Sequence, residues 1–110
     1  MRMFHVQSSI TLRQGEALES FESRLRALEQ HLQSRGLLVS ITPIARRCRH
    51  PVMDTDDAAF EFSFTLVFEN GNQVDQSVEC LRAEDPVMTQ LHKTVWDAVA
   101  SYRFTCWQDG

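Results

Sequence analysis

His5, Gln7, Ser9 and Thr11 occupy alternate positions near the start of the chain. Glu61, Ser63 and Thr65, then Arg103, Thr105 and Trp107, repeat the spacing further on. A period of two belongs to a β-strand, whose side chains point alternately to opposite sides. With Ser40, Thr42 and Arg46, these residues make one polar wall when their segments join a common sheet. His5 is the candidate general acid or base of that wall, because an imidazole ordinarily titrates near neutrality. Arg103 is the second candidate catalytic group. Arg46 is a candidate ligand-binding residue, since a guanidinium fork matches a carboxylate or an enolate. Gln7, Ser9, Glu61, Ser63, Thr65 and Trp107 complete the ligand-binding set. A His5–Glu61 dyad is disfavoured: antiparallel pairing sets His5 near Thr65 or Val67 and Glu61 near Thr11, so Trp107 is the neighbour expected of His5. A solvated sheet face or a polar dimer interface would show the same alternation.

Other chemistry finds less support. Cys48, Cys80 and Cys106 are widely spaced and odd in number, so neither a disulfide framework nor a compact zinc set is expected. Cys80 and Cys106 read as small buried hydrophobes. A nucleophilic triad, a phosphate-cradling glycine loop and a haem-attachment motif are missing, and neither metal nor cofactor is expected. Arg46-Arg47-Cys48-Arg49-His50 is a basic run that reads as a solvated loop edge.

The elements that position the wall follow from hydrophobic periodicity. Phe4, Val6, Ile10 and Leu12 form the apolar side of a first strand, with Ser8 as its exception. Leu18, Phe21, Leu25, Leu28 and Leu32 recur at spacings of three and four and predict a helix from Glu16 to Arg35. Gly36 is its C-terminal cap, and Glu22 and Arg26 are spaced to pair on its outer face. Leu37 to Arg46 is a second strand with Val39, Ile41 and Ala45 on one side and Ser40, Thr42 and Arg46 on the other. Pro43 makes it an edge strand or a bulged one. After a loop from Arg49 to Asp57, the run from Ala58 to Glu69 is the strongest strand of the chain, with Phe60, Phe62, Phe64, Leu66 and Phe68 on one side. Gln73 to Cys80 suits a hairpin or a short helix, and the spacing of Val74, Val78 and Leu81 favours the helix. Asp85-Pro86 reads as an N-cap followed by a first-turn proline, opening a helix whose stripe is Val87, Leu91, Val95 and Val99. Tyr102 to Trp107 is the last strand. This order is the ferredoxin-like, split βαβ arrangement of an α+β domain: a four-stranded antiparallel sheet of order 4-1-3-2 with helices on the apolar face.

With 110 residues the chain is one domain, and its 43% hydrophobic content and net charge of −4 fit a soluble globular protein rather than a nucleic-acid binder. The N-terminus lacks the apolar core of a signal peptide, and no stretch approaches the roughly 18 apolar residues of a membrane span. A cytoplasmic location with reduced thiols is expected, without a membrane or nucleic-acid partner.

Phe4-His5-Val6, Phe64 to Glu69, and Asp85-Pro86 followed by Leu91-His92 and Val95 resemble the dimeric α+β barrel superfamily, in particular an uncharacterised Dabb-like bacterial family. The resemblance implies a homodimer whose two sheets face each other and enclose a small organic ligand, with the helices outside. It also implies an alternative: a cofactor-independent monooxygenase, cyclase or isomerase acting on an aromatic or enolisable small molecule. His5 would then move the proton while Arg46 or Arg103 balances charge. In the same superfamily a histidine often stands at the place of His5, and the counterpart of His92 sometimes lies near the cavity mouth. The fold alone selects no reaction.

Overall fold

In this computed structural model, residues 2–83 and 85–110 are described. The elements are β1 (Phe4–Leu12), α1 (Leu18–Ser34), β2 (Ser40–Ile41), β3 (Ala45–Arg46), β4 (Phe62–Phe68), α2 (Gly71–Arg82), α3 (Pro86–Trp96) and β5 (Val99–Gln108). The sheet runs β5-β1-β4-β2, with β3 also on β4, and every pairing is antiparallel. This is the ferredoxin-like order expected from the sequence, with its second strand divided in two. Among the described residues no helix is long and apolar enough to cross a membrane.

Register turns alternation into two faces. His5 lies opposite Val67 and Trp107, Gln7 opposite Thr65 and Thr105, and Ser9 opposite Ser63 and Arg103. The intervening Ile10, Phe62, Phe64 and Phe68 are buried beneath the helices with Phe21, Leu25, Leu28 and Leu32 of α1 and Met88 and Val95 of α3. Each fully buried side chain of this kind contributes roughly 1.5–3 kcal/mol before chain entropy is subtracted. A one-residue slip would exchange the faces, so the pattern specifies the register.

The helix ends obey local chemistry. Gly36, at φ 68°, closes α1 in a Schellman arrangement: its N–H donates to Gln33 O at 3.0 Å, and that of Leu37 to Leu32 O at 2.9 Å. The Asp85 carboxylate accepts from the N–H groups of Val87 and Met88, as an N-cap should. The ambiguous segment after Asn70 is a helix, α2, because the Asn70 side chain accepts from Gln73 N at 3.0 Å and caps it.

Several details depart from the expectations, Val99 among them, since it opens β5 rather than ending the stripe of α3. The second strand is two short pieces because Pro43 carries a bulge: Thr42 N donates to Thr65 O, yet Ala45 lies opposite Ser63, so three residues on one strand span two on the other. That extra residue reverses the parity, placing Ala45 on the polar side and Arg46 opposite Phe62, its guanidinium carbon 5.1 Å from the Phe62 ring centroid. Arg46 thus falls out of the wall's alternation, although its side chain still borders the polar face beside Gln7, Ser9 and Ser63. Phe60 precedes β4 and lies outside the core, with the Arg103 guanidinium 5.2 Å from its centroid. Arg26 pairs with Glu29 at 3.0 Å rather than Glu22; Glu29 also accepts from Ile41 N while Arg26 donates to the Ile41 and Thr42 carbonyls, which covers the open edge of β2. Cys106 is exposed, because β5 has no helix above that end.

Ser8 is fully buried on the apolar side, and its hydroxyl has no hydrogen-bond partner among the described residues. Such a group keeps its desolvation cost without compensation. Ser8→Ala should therefore raise stability by about 1 kcal/mol, read as a higher urea midpoint at unchanged slope. A lower midpoint would mean that the hydroxyl is satisfied in solution.

Candidate functional site

The polar face of β1, β4 and β5 gathers most of the expected site residues in rows. His5 and Trp107 share the first row, Gln7, Thr65 and Thr105 the second, and Ser9, Ser63 and Arg103 the third. His5 and Arg103 are consequently four residues apart along β1, about 13 Å at strand rise, too far to act on one small ligand. Glu61 stands just before β4, exposed, with its N–H on Ile10 O at 2.9 Å.

His5 has a partner that the reading of the sequence missed. Its Nε2 lies 2.8 Å from Asp109 Oδ1, and Asp109 Oδ2 accepts from Met3 N at 3.1 Å. These bonds hold the Asp109 carboxyl below the usual carboxylate range, the imidazole contact being the larger cause. Asp109 continues the alternation of Arg103, Thr105 and Trp107, so its position was signalled. Trp107 Nε1 donates to Gln7 Oε1 at 3.1 Å, bracing the neighbouring row.

Beyond the third row the chain between β3 and β4 folds over the sheet. Arg47 grips both oxygens of Asp54, at 2.9 and 2.8 Å, and Arg49 reaches the carbonyls of Asp56 and Ala58. Asp56 Oδ1 accepts from Ala58 N at 2.9 Å and Oδ2 from Arg103 at 2.7 Å, which lowers its pKa, the backbone bond first. The basic run is therefore largely spent on the loop's own carboxylates and carbonyls. Between loop and sheet lies a cleft of about 230 Å³ lined by Gln7, Ser9, Arg46, Phe62, Ser63, Arg103 and Thr105 from the sheet and by Arg47, Cys48, Asp56 and Phe60 from the loop.

A second space lies on the opposite, apolar face. It measures about 190 Å³ and is bounded by Val6, Phe64 and Phe104 of the sheet, Leu28 of α1, Val78 of α2 and Met88 of α3. Ser77 and His92 are its polar residues. The Ser77 hydroxyl is engaged with Leu37 O and Gln73 O, whereas His92 makes no hydrogen bond to a described residue. Half-buried against Trp96, His92 has its pKa lowered by burial, so its imidazole is neutral at pH 7. The helical stripes foretold the walls of this cavity, but a packing gap between three helices and a sheet has no sequence period. Among the described residues, no cluster of histidine, cysteine, aspartate and glutamate could hold a metal ion.

No family model matches the chain, and no curated protein resembles it in sequence. Solved structures do share its fold. One is a protein from Arabidopsis thaliana, with TM-score 0.72 and 9% identity over 98% of this chain and 95% of that one. Another is a hydroxynitrile lyase from Passiflora edulis, with TM-score 0.65 and 10% identity over 98% of this chain and 94% of that one. A third, from Bacteroides fragilis, is described as a dimeric protein of unknown function with a ferredoxin-like fold; its TM-score is 0.56 at 13% identity, covering 97% of this chain and 96% of that one. At such identities the likeness concerns the fold and leaves the activity open.

The buried imidazole has a consequence for stability. Because the folded state holds the His92 pKa below that of the unfolded chain, the neutral ring's contribution is complete above about pH 6.5 and is lost as the pH falls through the lower folded value. The depressed carboxyls of Asp56, Asp85 and Asp109 act in a separate window, below about pH 4. His92→Gln should therefore flatten the loss of stability that sets in as the pH falls below about 6.5 in urea melts and leave the limb below about pH 4 in place. An unchanged slope in the upper window would place the ring in water.

Proposed function

We propose that this ferredoxin-like chain forms a homodimer whose polar sheet faces meet, as in the dimeric α+β barrel superfamily that its sequence resembles, each protomer holding a small organic ligand in the cavity under its helices. The ligand reading is carried by one observation: an apolar cavity containing a single neutral, unbonded imidazole. Such a pocket suits a mainly apolar, aromatic or aliphatic molecule with one hydrogen-bonding group aimed at His92.

The dimer has its own support. Among the described residues no helix covers the polar face, and β5 is an edge strand exposed along nearly its whole length. Tyr102 and Trp107 are 60% and 59% exposed, on opposite faces of that strand. Long edges and large exposed aromatics are what a second subunit covers. The free thiols of Cys48, Cys80 and Cys106 fit a reducing compartment and support a cytoplasmic protein.

The neutral imidazole also favours a second reading, a cofactor-independent enzyme for an aromatic or enolisable substrate. His92 would serve as general base in the cavity, in place of His5. His5, held by Asp109 on the other face, is the competing acid–base residue, and Arg103, engaged by Asp56, lies a cleft away from it.

Sedimentation equilibrium at micromolar concentration should give a dimer that Trp107→Arg converts to monomer while circular dichroism stays unchanged; a monomeric wild type would end the dimer reading. For the enzyme reading, mandelonitrile, an aromatic hydroxynitrile, is the first substrate to assay by benzaldehyde release. Turnover abolished by His92→Leu and retained by His5→Leu supports it, and the reverse pattern transfers the chemistry to the polar face.

A further inference from the structure

One cation of the polar-face cleft has no counter-charge. Three guanidiniums line the space, those of Arg46, Arg47 and Arg103. Arg103 is paired with Asp56 at 2.7 Å and Arg47 with Asp54 at 2.8 Å. The Arg46 side chain makes neither an ion pair nor a hydrogen bond to a described residue, although Glu19 and Glu61 border the groove on its other side. Its guanidinium lies over the Phe62 ring, 5.1 Å from the centroid, which limits where the fork can go and leaves its five N–H donors open.

The floor of the cleft adds neutral donors. Ala45, Ser63, Ser9 and Arg103 form one row across β3, β4, β1 and β5. Arg46, next to Ala45, therefore stands at one end of that row and the Arg103–Asp56 pair at the other. The two serines lie between them on strands about 4.8 Å apart. The hydroxyls of Ser9, Ser63 and Thr105 make no hydrogen bond to described residues. Gln7 uses its carbonyl oxygen on Trp107, which leaves its amide N–H groups to a ligand.

This arrangement selects by charge. A neutral ligand gains nothing from the unpaired guanidinium, and a cation adds to the surplus. One carboxylate matches one open fork with two charge-assisted bonds. A phosphate monoester carries about −1.5 to −2 at pH 7, and its further charge would lie beside the Asp56 carboxylate, where both other guanidiniums are already paired. A bare carboxylate leaves the serine and glutamine donors unmet, whereas a neighbouring hydroxyl or keto oxygen reaches them. At about 230 Å³ the space is smaller than the roughly 300 Å³ at which pockets for drug-sized ligands begin, so the ligand is small.

We propose that this cleft binds a small monocarboxylate of the hydroxy- or keto-acid class, its carboxylate on Arg46 and its further oxygens on Ser63, Ser9 and Gln7. The site shares no lining residue with the apolar cavity and lies on the opposite face of the sheet. In a dimer joined through the polar faces, the same carboxylate supplies the counter-charge for a guanidinium enclosed at the interface.

Two-dimensional amide NMR titrations of the intact protein at about 0.15 M ionic strength test this site. The probes are glycerate and pyruvate, with glycerol, propionate and inorganic phosphate as comparisons. The expected result is a saturable shift of Arg46, Ser63, Ser9 and Gln7 with at least one of the two acids while His92 and Phe104 stay still. Binding of glycerate alone indicates a hydroxy acid and of pyruvate alone a keto acid; each supports the proposal. Arg46→Gln should weaken that binding about tenfold, the loss of one charge-assisted contact. Ser63→Ala tests the same site independently and should weaken it severalfold. The proposal is overturned when neither acid shifts these residues with a Kd below about 10 mM, when glycerol, propionate or phosphate binds as tightly as the better acid, or when either variant binds as wild type.

Discussion

Everything in this molecule depends on the central position of β1 between β4 and β5. Its nine residues pair with β5 and seven of them, Phe4 to Ile10, also with β4, so their alternation is imposed on both neighbours. Phe4, Val6, Ser8 and Ile10 look to the helices, and His5, Gln7 and Ser9 look away. Because a pleated strand admits no intermediate orientation, one register decides which residues build the core and which are left for chemistry. The apolar cavity and the polar cleft are opposite sides of that one sheet, separated by a single layer of backbone.

Where the alternation breaks, the molecule acquires its irregular features. The bulge at Pro43 shifts Arg46 opposite Phe62 at the border of the cleft, and the chain that follows arches over the sheet to close one side of it. Its arginines and aspartates neutralise one another there. On the helix side, α1 and α3 bury the middle of the sheet but leave the β5 flank uncovered, where Phe104 borders the apolar cavity. Trp96 packs edge-on against Phe104 at 5.3 Å between ring centroids, which gives that opening an aromatic rim.

Much of this was legible in the residues. Phe62, Phe64, Leu66 and Phe68 announced β4, the stripe from Leu18 to Leu32 announced α1, and Asp85-Pro86 marked the start of α3. Antiparallel pairing alone placed His5 near Thr65 or Val67 and beside Trp107, and the register selects Val67. What stayed hidden depends on non-local geometry. Pro43 signalled a bulge or an edge, but the reversal at Arg46 needed the partner residues Thr65 and Ser63. Phe60 continued the apolar alternation in sequence yet left the core, because the strand begins only at Phe62. His92 was visible as a residue of the last helix, whereas its burial, and with it a neutral imidazole, depends on α2 and β5 closing around it.

The central claim is that one sheet separates a dry apolar cavity from a wet polar face, and xenon pressurisation of a crystal tests it most directly. Xenon enters apolar cavities that water leaves empty. The account predicts a xenon atom among Leu28, Phe64, Met88 and His92 and none over Ser9 and Ser63. An unoccupied helix-side cavity, or xenon on the polar face instead, would contradict it.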